Sequence, residues 1–406
     1  MGLEIDRETF APADHARFAE RLSRGVEALR LLVDRPGFGA GPPTLGVEVE
    51  MALVDGTGRP LPANAEVRAG TVNPGVALEL DRFNIEYASA PVPLAGRPFD
   101  TLGDEVRDGL REIDAAAAAS GGRIALVGTL PTLGEDDLRD GALTDAPRFR
   151  ALSAQLREGR DRPFRVRVEG DEPLDVAWDD VTLEGAGSSL QVHLKVPPAR
   201  FADTYNAAQM ASAPVLAAAG NSPILLGHLL WEETRVALFQ QAVDDRQRIA
   251  VWRPGRVSYG HGWVRRGPVE LFAESVALHR PLLPLVDEDA ADPLACVLAG
   301  GVPPLPELRL HHGTVWAWNR AVYDPAGEGG IRIELRALPS GPTVEDMMAN
   351  AAFLVGLTLA LAPEAEWMTA ALPFRHAEAS FYAAARRGLD ARLLWPSPSA
   401  PSPRAE

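Results

Sequence analysis

The chain has 406 residues and a formal net charge of −16. That charge argues against nucleic acid or an anionic membrane as the main partner, because both attract cationic surfaces. Hydrophobic residues at 46% and charged residues at 24% mark an ordinary globular chain, and the single cysteine rules out an internal disulfide framework.

Met1 to Asp14 is polar and lacks the apolar core of a signal peptide. No uninterrupted apolar stretch of about 20 residues occurs, so no membrane span is expected. With one cysteine and no leader, the expected location is the cytoplasm. Phe18, Leu22, Val26 and Leu29 recur at helical spacing and predict a helix over 11–33. Gly46 to Asp55 then reads as a strand. Its side chains alternate, so Glu48 and Glu50 share one face, roughly 6.5–7 Å apart, while Val47, Val49 and Met51 take the other. Two neighbouring carboxylates repel unless a cation or a proton lies between them. Residues 61–76 read as a loop or short irregular segment.

The run from Leu78 to Pro91 crowds Glu79, Asp81, Asn84 and Glu86 together. Asn84 and Glu86 share a strand face; Asp81 has the opposite parity and would need a turn near Arg82 to join them. A helix is expected over 101–120 and a buried strand over 123–128. A short helix follows at 149–156, then short strands with acidic turns at 164–181. Ser188 to Val196 alternates again, with Gln191, His193 and Lys195 on one face. Helices are expected at 198–219 and 231–244, the second with Glu232, Glu233, Arg235 and Gln241 on its polar side. Trp252 to Gly267 is a basic loop carrying Arg253, Arg256, His261, Arg265 and Arg266, suited to a mobile flap over an anionic ligand. A helix at 269–278 leads to a surface connection over 283–306, where Cys296 is expected to be a small buried residue. A strand is expected over 312–320 and another over 331–338, the latter with Arg332, Glu334 and Arg336 on one face. Thr343 caps a helix to Leu361. Residues 374–394 read as helical. The organisation is a single domain over 1–395 with a Pro- and Ser-rich disordered tail over 396–406.

Four strands thus carry one signature, apolar on one side and polar on the other. An antiparallel sheet can lay its apolar face on helices and leave the other face open. The expected fold is therefore α+β: a curved antiparallel sheet, helices on one face, and an open polar face. That face would hold carboxylates, amides, a histidine and arginines, a mixture suited to a nucleoside triphosphate with divalent metal. No Gly-x-x-x-x-Gly-Lys-Ser/Thr loop is present. Taken singly, Arg332, Glu334 and Arg336 read equally well as a salt-bridge ladder, and Trp316 and Trp318 as packing.

The ordered set Gly46–Glu50, Asp81–Glu86, Gln191-Val192-His193-Leu194, Asn221-Ser222-Pro223 and Arg332–Arg336 resembles the glutamate–cysteine ligase family, in particular its bacterial carboxylate–amine ligase-like branch. The resemblance implies a glutamine-synthetase-like fold and an ATP- and Mg²⁺-dependent ligase. Such an enzyme activates a carboxylate, by default the glutamate side chain, as an acyl phosphate and joins it to an amine, by default cysteine. It implies metal ligands at Glu48, Glu50, Glu86 and Glu334. Candidate catalytic residues are Glu50, Arg332 and Arg336. Candidate nucleotide contacts are Asn84, Gln191 and His193, with Arg256 and Arg265 of the basic loop. Partners would be small amino-acid and amine substrates, with a homo-oligomer compatible. One departure stands out: related proteins often have His-x-His where this chain has Gln191-Val192-His193. Two other readings remain open on sequence: a non-catalytic binding member of the same fold, and a phosphotransferase acting on a guanidino compound.

Overall fold

A computed structural model describes residue 5, residues 7–397 apart from 140, 159, 161 and 248–252, and residues 404–405. Its centre is β1 (Thr44–Asp55). The sheet around it runs β13 (Asn319–Asp324), β14 (Gly330–Pro339), β8 (Ser189–Lys195), β1, β3 (Asn84–Ala88), β2 (Val76–Leu78), with every pairing antiparallel. β4 (Val92–Pro93) and β5 (Gly122–Ala125) extend the two ends of β1. The sheet is curled into a half-barrel.

Alternation sets its two faces. Val47, Val49, Met51, Ile85, Tyr87, Leu190, Val192, Leu194, Ile331, Ile333 and Leu335 are all buried in one core. Helices α3 (Pro98–Ala119), α5 (Phe201–Ala219) and α10 (Val344–Leu361) cover that face, and α1 (Pro12–Val33) packs at its margin. Contact between α3 and β3 is close: a Cβ on Gly109 would fall 2.4 Å from the Tyr87 ring. Thr343 caps α10, accepting the Asp346 N–H at 3.1 Å. The run Val344–Ala371 is long and apolar enough to cross a membrane. Within α10, Met347, Ala351, Leu354 and Val355 are buried and the helix packs on α3 and α5, while Phe353 and Leu359 on its other face are exposed.

The polar face carries an open cleft with a wall along one side. A second apolar cluster joins α4 (Pro147–Glu158), the hairpin of β6 (Phe164–Val168) and β7 (Leu174–Trp178), α6 (Thr234–Ala242) and α12 (Phe374–Arg387). It closes the space above the sheet on that side.

Several expectations are corrected. Residues 61–76 include α2 (Asn64–Ala69). The strand expected over 123–128 is shorter and only partly buried, because it pairs with one end of β1 alone. α6 is shorter than expected, and Glu233 and Arg235 are not on a solvent side. They form a buried pair at 2.9 Å, with Glu233 also accepting the Asn221 N–H and Arg235 donating to the Ala337 carbonyl. Paired and hydrogen-bonded, both charges tolerate burial. His312 does not begin a strand. It ends α9 (Pro306–Gly313), which Pro306 opens as a first-turn proline; β12 (Trp316–Ala317) and β13 follow. The connection over 283–306 contains α8 (Pro293–Leu298), where Cys296 is half-buried. α12 stops at Arg387, where Gly388 takes φ +52°. The tail's expected disorder falls on residues 398–403 and 406, outside the described residues, as does Trp252; Arg404–Ala405 pairs with Leu394–Trp395.

Candidate active site

Strand register brings the polar residues together. Glu50 lies opposite Glu86, Glu48 opposite Gln191, Glu334 opposite His193, and Arg320 opposite Glu334. Glu48, Glu50, Glu86, Gln191, Glu334, Arg332 and Arg336 all line one cleft of about 500 Å³. Its walls are Phe149 and Leu152 of α4, Val181, Phe239 and Val243 near α6, and Trp316. A second hollow of about 440 Å³ adjoins it, sharing Glu48 and Arg332 and adding His193, Lys195, Ser89 and the Gly329-Gly330 turn.

Glu334 is the electrostatic hub. Arg320 holds it with two contacts, 2.8 and 3.0 Å, and Arg336 adds a third at 3.0 Å. Burial works to raise its carboxyl, but Arg320, Arg336 and His193 together hold it far below the usual range. Glu48 follows the same pattern: burial opposes ionisation, and His193, 3.1 Å away, keeps its carboxyl low. Glu50 behaves differently. Its two oxygens accept the Ser189 N–H at 2.6 Å and the Gln191 amide at 2.9 Å. Burial and the nearby Glu79 nevertheless push it up to about 7. Burial, Glu48 and Glu79 raise Glu86 well above normal, and burial with Glu79 and Glu50 lifts Glu184 to about 8. The cleft is therefore polarised, with arginines toward β13–β14 and carboxylates toward β1–β3.

Not every candidate residue arrives there. Arg256 is corrected: its guanidinium is fully buried, paired with Asp245 at 2.8 Å and donating to the Thr314 and Arg280 carbonyls. It pins the basic loop instead of flapping over a ligand. Arg265 is exposed and is not among the cleft's lining residues; its backbone N–H and that of Arg266 bind Glu270. Asn84 is buried behind the cleft, where its amide donates to the Gly185 carbonyl at 2.7 Å. The turn near Arg82 exists, but Asp81 is buried against Gly185, both oxygens without a hydrogen-bond partner. Burial, then Glu184, keeps its carboxyl protonated far above the normal range. His311 and His312 are buried and tied to Ser275, pushed down to about 4 and about 3 by desolvation.

Sequence reading missed Glu184, Arg148, Arg309 and Arg320, which also line the cleft, and it singled out Glu79 only as part of an acidic run. Arg320 carried a signal, since it stands opposite Glu334 in the hairpin. The others come from turns and helices that no strand periodicity marks.

A divalent ion can be tested against the donors present. Glu48, His193 and Glu334 each place one ligand atom within 4.8 Å of the others, the one such group among the described residues. His193 Nδ1 accepts the Arg332 Nε–H at 3.0 Å, so in the neutral ring Nε2 carries the hydrogen. The hard oxygens of Glu48 and Glu334 are then the donors that suit Mg²⁺.

Fold and site together define an α+β protein with a charged small-ligand cleft on a curled antiparallel sheet. The chain belongs to glutamate-cysteine ligase family 2, whose sequence model matches residues 44–399. A solved glutamate–cysteine ligase from Francisella tularensis, in complex with AMP, superposes with a TM-score of 0.51 at 10% identity, covering 88% of this chain and 74% of that one. A bifunctional glutathione synthetase from Pasteurella multocida gives a TM-score of 0.43 at 8% identity, covering 94% of this chain and 43% of that one. A search of curated protein sequences found no significant match.

Proposed function

We propose that the chain is an ATP- and Mg²⁺-dependent carboxylate–amine ligase. It forms an acyl phosphate on an amino-acid carboxylate, with the glutamate side chain as the default, and passes the acyl group to an amine, with cysteine as the default. The observation that carries this reading is the meeting of two chambers, each holding carboxylates and cationic side chains, at Glu48 and Arg332. The smaller chamber sets Lys195 and Arg332 beside Glu48 and Asp324 against small, glycine-rich walls, a mixture that would suit a metal-bound triphosphate. The larger one combines arginines for a carboxylate with unneutralised acids for an ammonium group.

Two anionic reactants repel, and phosphoryl transfer needs that repulsion offset more than it needs covalent help from the protein. Arg332 and Arg336 supply fixed positive charge at the junction. Glu48 and Glu334 would hold Mg²⁺, which when bound neutralises charge on the phosphates. Glu50 would face the amine, with Glu184 beside it, and an acid that titrates near 7 is suited to accept a proton there. The substrates are small molecules, and one cysteine with an acidic surface supports work in the cytoplasm. The test is ADP release by the full chain with ATP, Mg²⁺, glutamate and a panel of amines. Release that requires both carboxylate and amine, and that Arg336→Ala abolishes, supports the reading. Saturable ATP binding with no turnover on any pair favours a binding module, and a phosphorylated guanidino product favours a phosphotransferase.

A further inference from the structure

Glu184 reaches the cleft from outside the sheet. It projects from the 3-10 turn Glu184–Ala186, just before β8. Among the described residues its side chain makes no hydrogen bond and no ion pair. Glu334 and Glu50, by contrast, are held by Arg320 and by the Ser189 N–H. With no side-chain partner to anchor it, Glu184 stands where the backbone of its turn puts it.

That backbone is gripped at the next residue, Gly185, by the turn between β2 and β3. The Asn84 amide donates to the Gly185 carbonyl at 2.7 Å, while Asn84 Oδ1 makes no hydrogen bond. The carbonyl can only accept, which fixes the amide with its nitrogen toward Gly185. The Asp81 carboxyl fills the space beside the Gly185 Cα. A Cβ on Gly185 would fall 2.4 Å from Asp81 Oδ2 and 2.5 Å from its Cγ, closer than packed atoms tolerate. Asp81 is fully buried, so its side chain has no solvent to swing into. Gly185 is therefore required for room and not for its backbone angle.

The gripping turn is itself anchored from behind. Asn64 of α2, also buried, donates to the Asp81 carbonyl at 3.0 Å and to the Asn84 carbonyl at 3.1 Å. The Arg82 N–H donates to the Ala142 carbonyl at 2.8 Å. A continuous line thus runs from α2 through the β2–β3 turn to Gly185 and on to Glu184.

We propose that Asn84 and Gly185 are positioning residues for Glu184, and that Glu184 determines specificity by receiving the ammonium head of the amine substrate. A carboxylate in a partly buried cleft with no donor of its own is matched by a cationic donor brought in by the ligand. The ligand assignment rests on the larger chamber being the amine's site. The positioning does not, and its measurement needs no substrate.

That measurement is the crystal structure of the full chain as Asn84→Leu, as Gly185→Ala, and as the double variant Asp81→Ala/Gly185→Ala. Each single change should move the Glu184 carboxylate by roughly 1 Å or more, a shift large enough to matter in a site of placed charges. The double variant removes the two atoms nearest the new Cβ and leaves the Asp81 Cβ at 3.1 Å, so Glu184 should return. Glu184 in its parent place in both single variants overturns the positioning. The second measurement sets the KM for the amine against the KM for ATP in the ADP-release assay. Glu184→Gln and Gly185→Ala should raise the amine KM at least about tenfold and leave the ATP KM within about threefold, with most of the Gly185→Ala loss recovered in the double variant. An equal rise in both constants, or a double variant no better than Gly185→Ala, overturns the proposal. If Gly185→Ala does not fold, Asn84→Leu, which removes one hydrogen bond at similar volume, carries both measurements. A parent chain that turns over no amine removes the ammonium assignment together with the functional reading, and the crystal structures then decide the positioning.

Discussion

Glu184 and Glu334 occupy one cleft yet titrate in opposite directions. Glu334 is surrounded by arginines, so its folded-state carboxyl is depressed. Its contribution to stability is present above its ordinary value of 4.5 and is lost as pH falls through the lower folded value. Glu184 is raised to about 8 by burial and by Glu79 and Glu50. Its neutral form is favoured in the fold, so its contribution is full below 4.5 and is lost as pH rises through about 8. Glu50, pushed to about 7, adds to the same trend. The metal-free protein should therefore become less resistant to urea as pH climbs from about 5 to about 8.5, and Glu184→Gln should flatten that slope. A slope of the same size in the variant would assign the effect elsewhere.

The strands were readable from sequence because a period of two needs no tertiary information. Glu48 and Glu50, or Arg332, Glu334 and Arg336, declare a shared face wherever the strand lies. The walls were not readable. Glu184 sits in a short 3-10 turn and Glu79 in the turn after β2, so only the fold brings them to the sheet. Charged residues misled in the other direction. Arg256 read as a nucleotide contact on a mobile flap and Glu233 and Arg235 as the polar side of a helix, yet each charge is satisfied inside the protein by a partner distant or adjacent in sequence. At this scale the basic loop is a structural strap: Arg256 joins Asp245, Thr314 and Arg280 and so ties the loop to α9 and to the end of α7 (Val269–Leu278). Arg256→Ala leaves Asp245 short of its buried partner, and a loss of about 3–5 kcal/mol is expected in urea denaturation. Nucleotide affinity, measured under conditions where the variant is folded, should change little. A large drop in affinity without a stability change would restore the arginine to the ligand site.

For the whole molecule, sequence pattern, curled sheet and family membership converge on one architecture, in which a helical layer stiffens the sheet and a second cluster walls one side of its charged face. Rigidity suits a site that works by placing charges, since electrostatic stabilisation depends on groups that do not have to reorganise. The central claim is that the two chambers bring a triphosphate and a carboxylate together for phosphoryl transfer. Incubating the full chain with ATP, Mg²⁺, an amine panel and glutamate carrying heavy oxygen in its side-chain carboxylate tests it most directly, with mass spectrometry of the released phosphate and the amide. The account predicts amide and ADP in equal amounts, with one heavy oxygen passed to each phosphate. Phosphate released without label, or ADP formed with no amide, would contradict it.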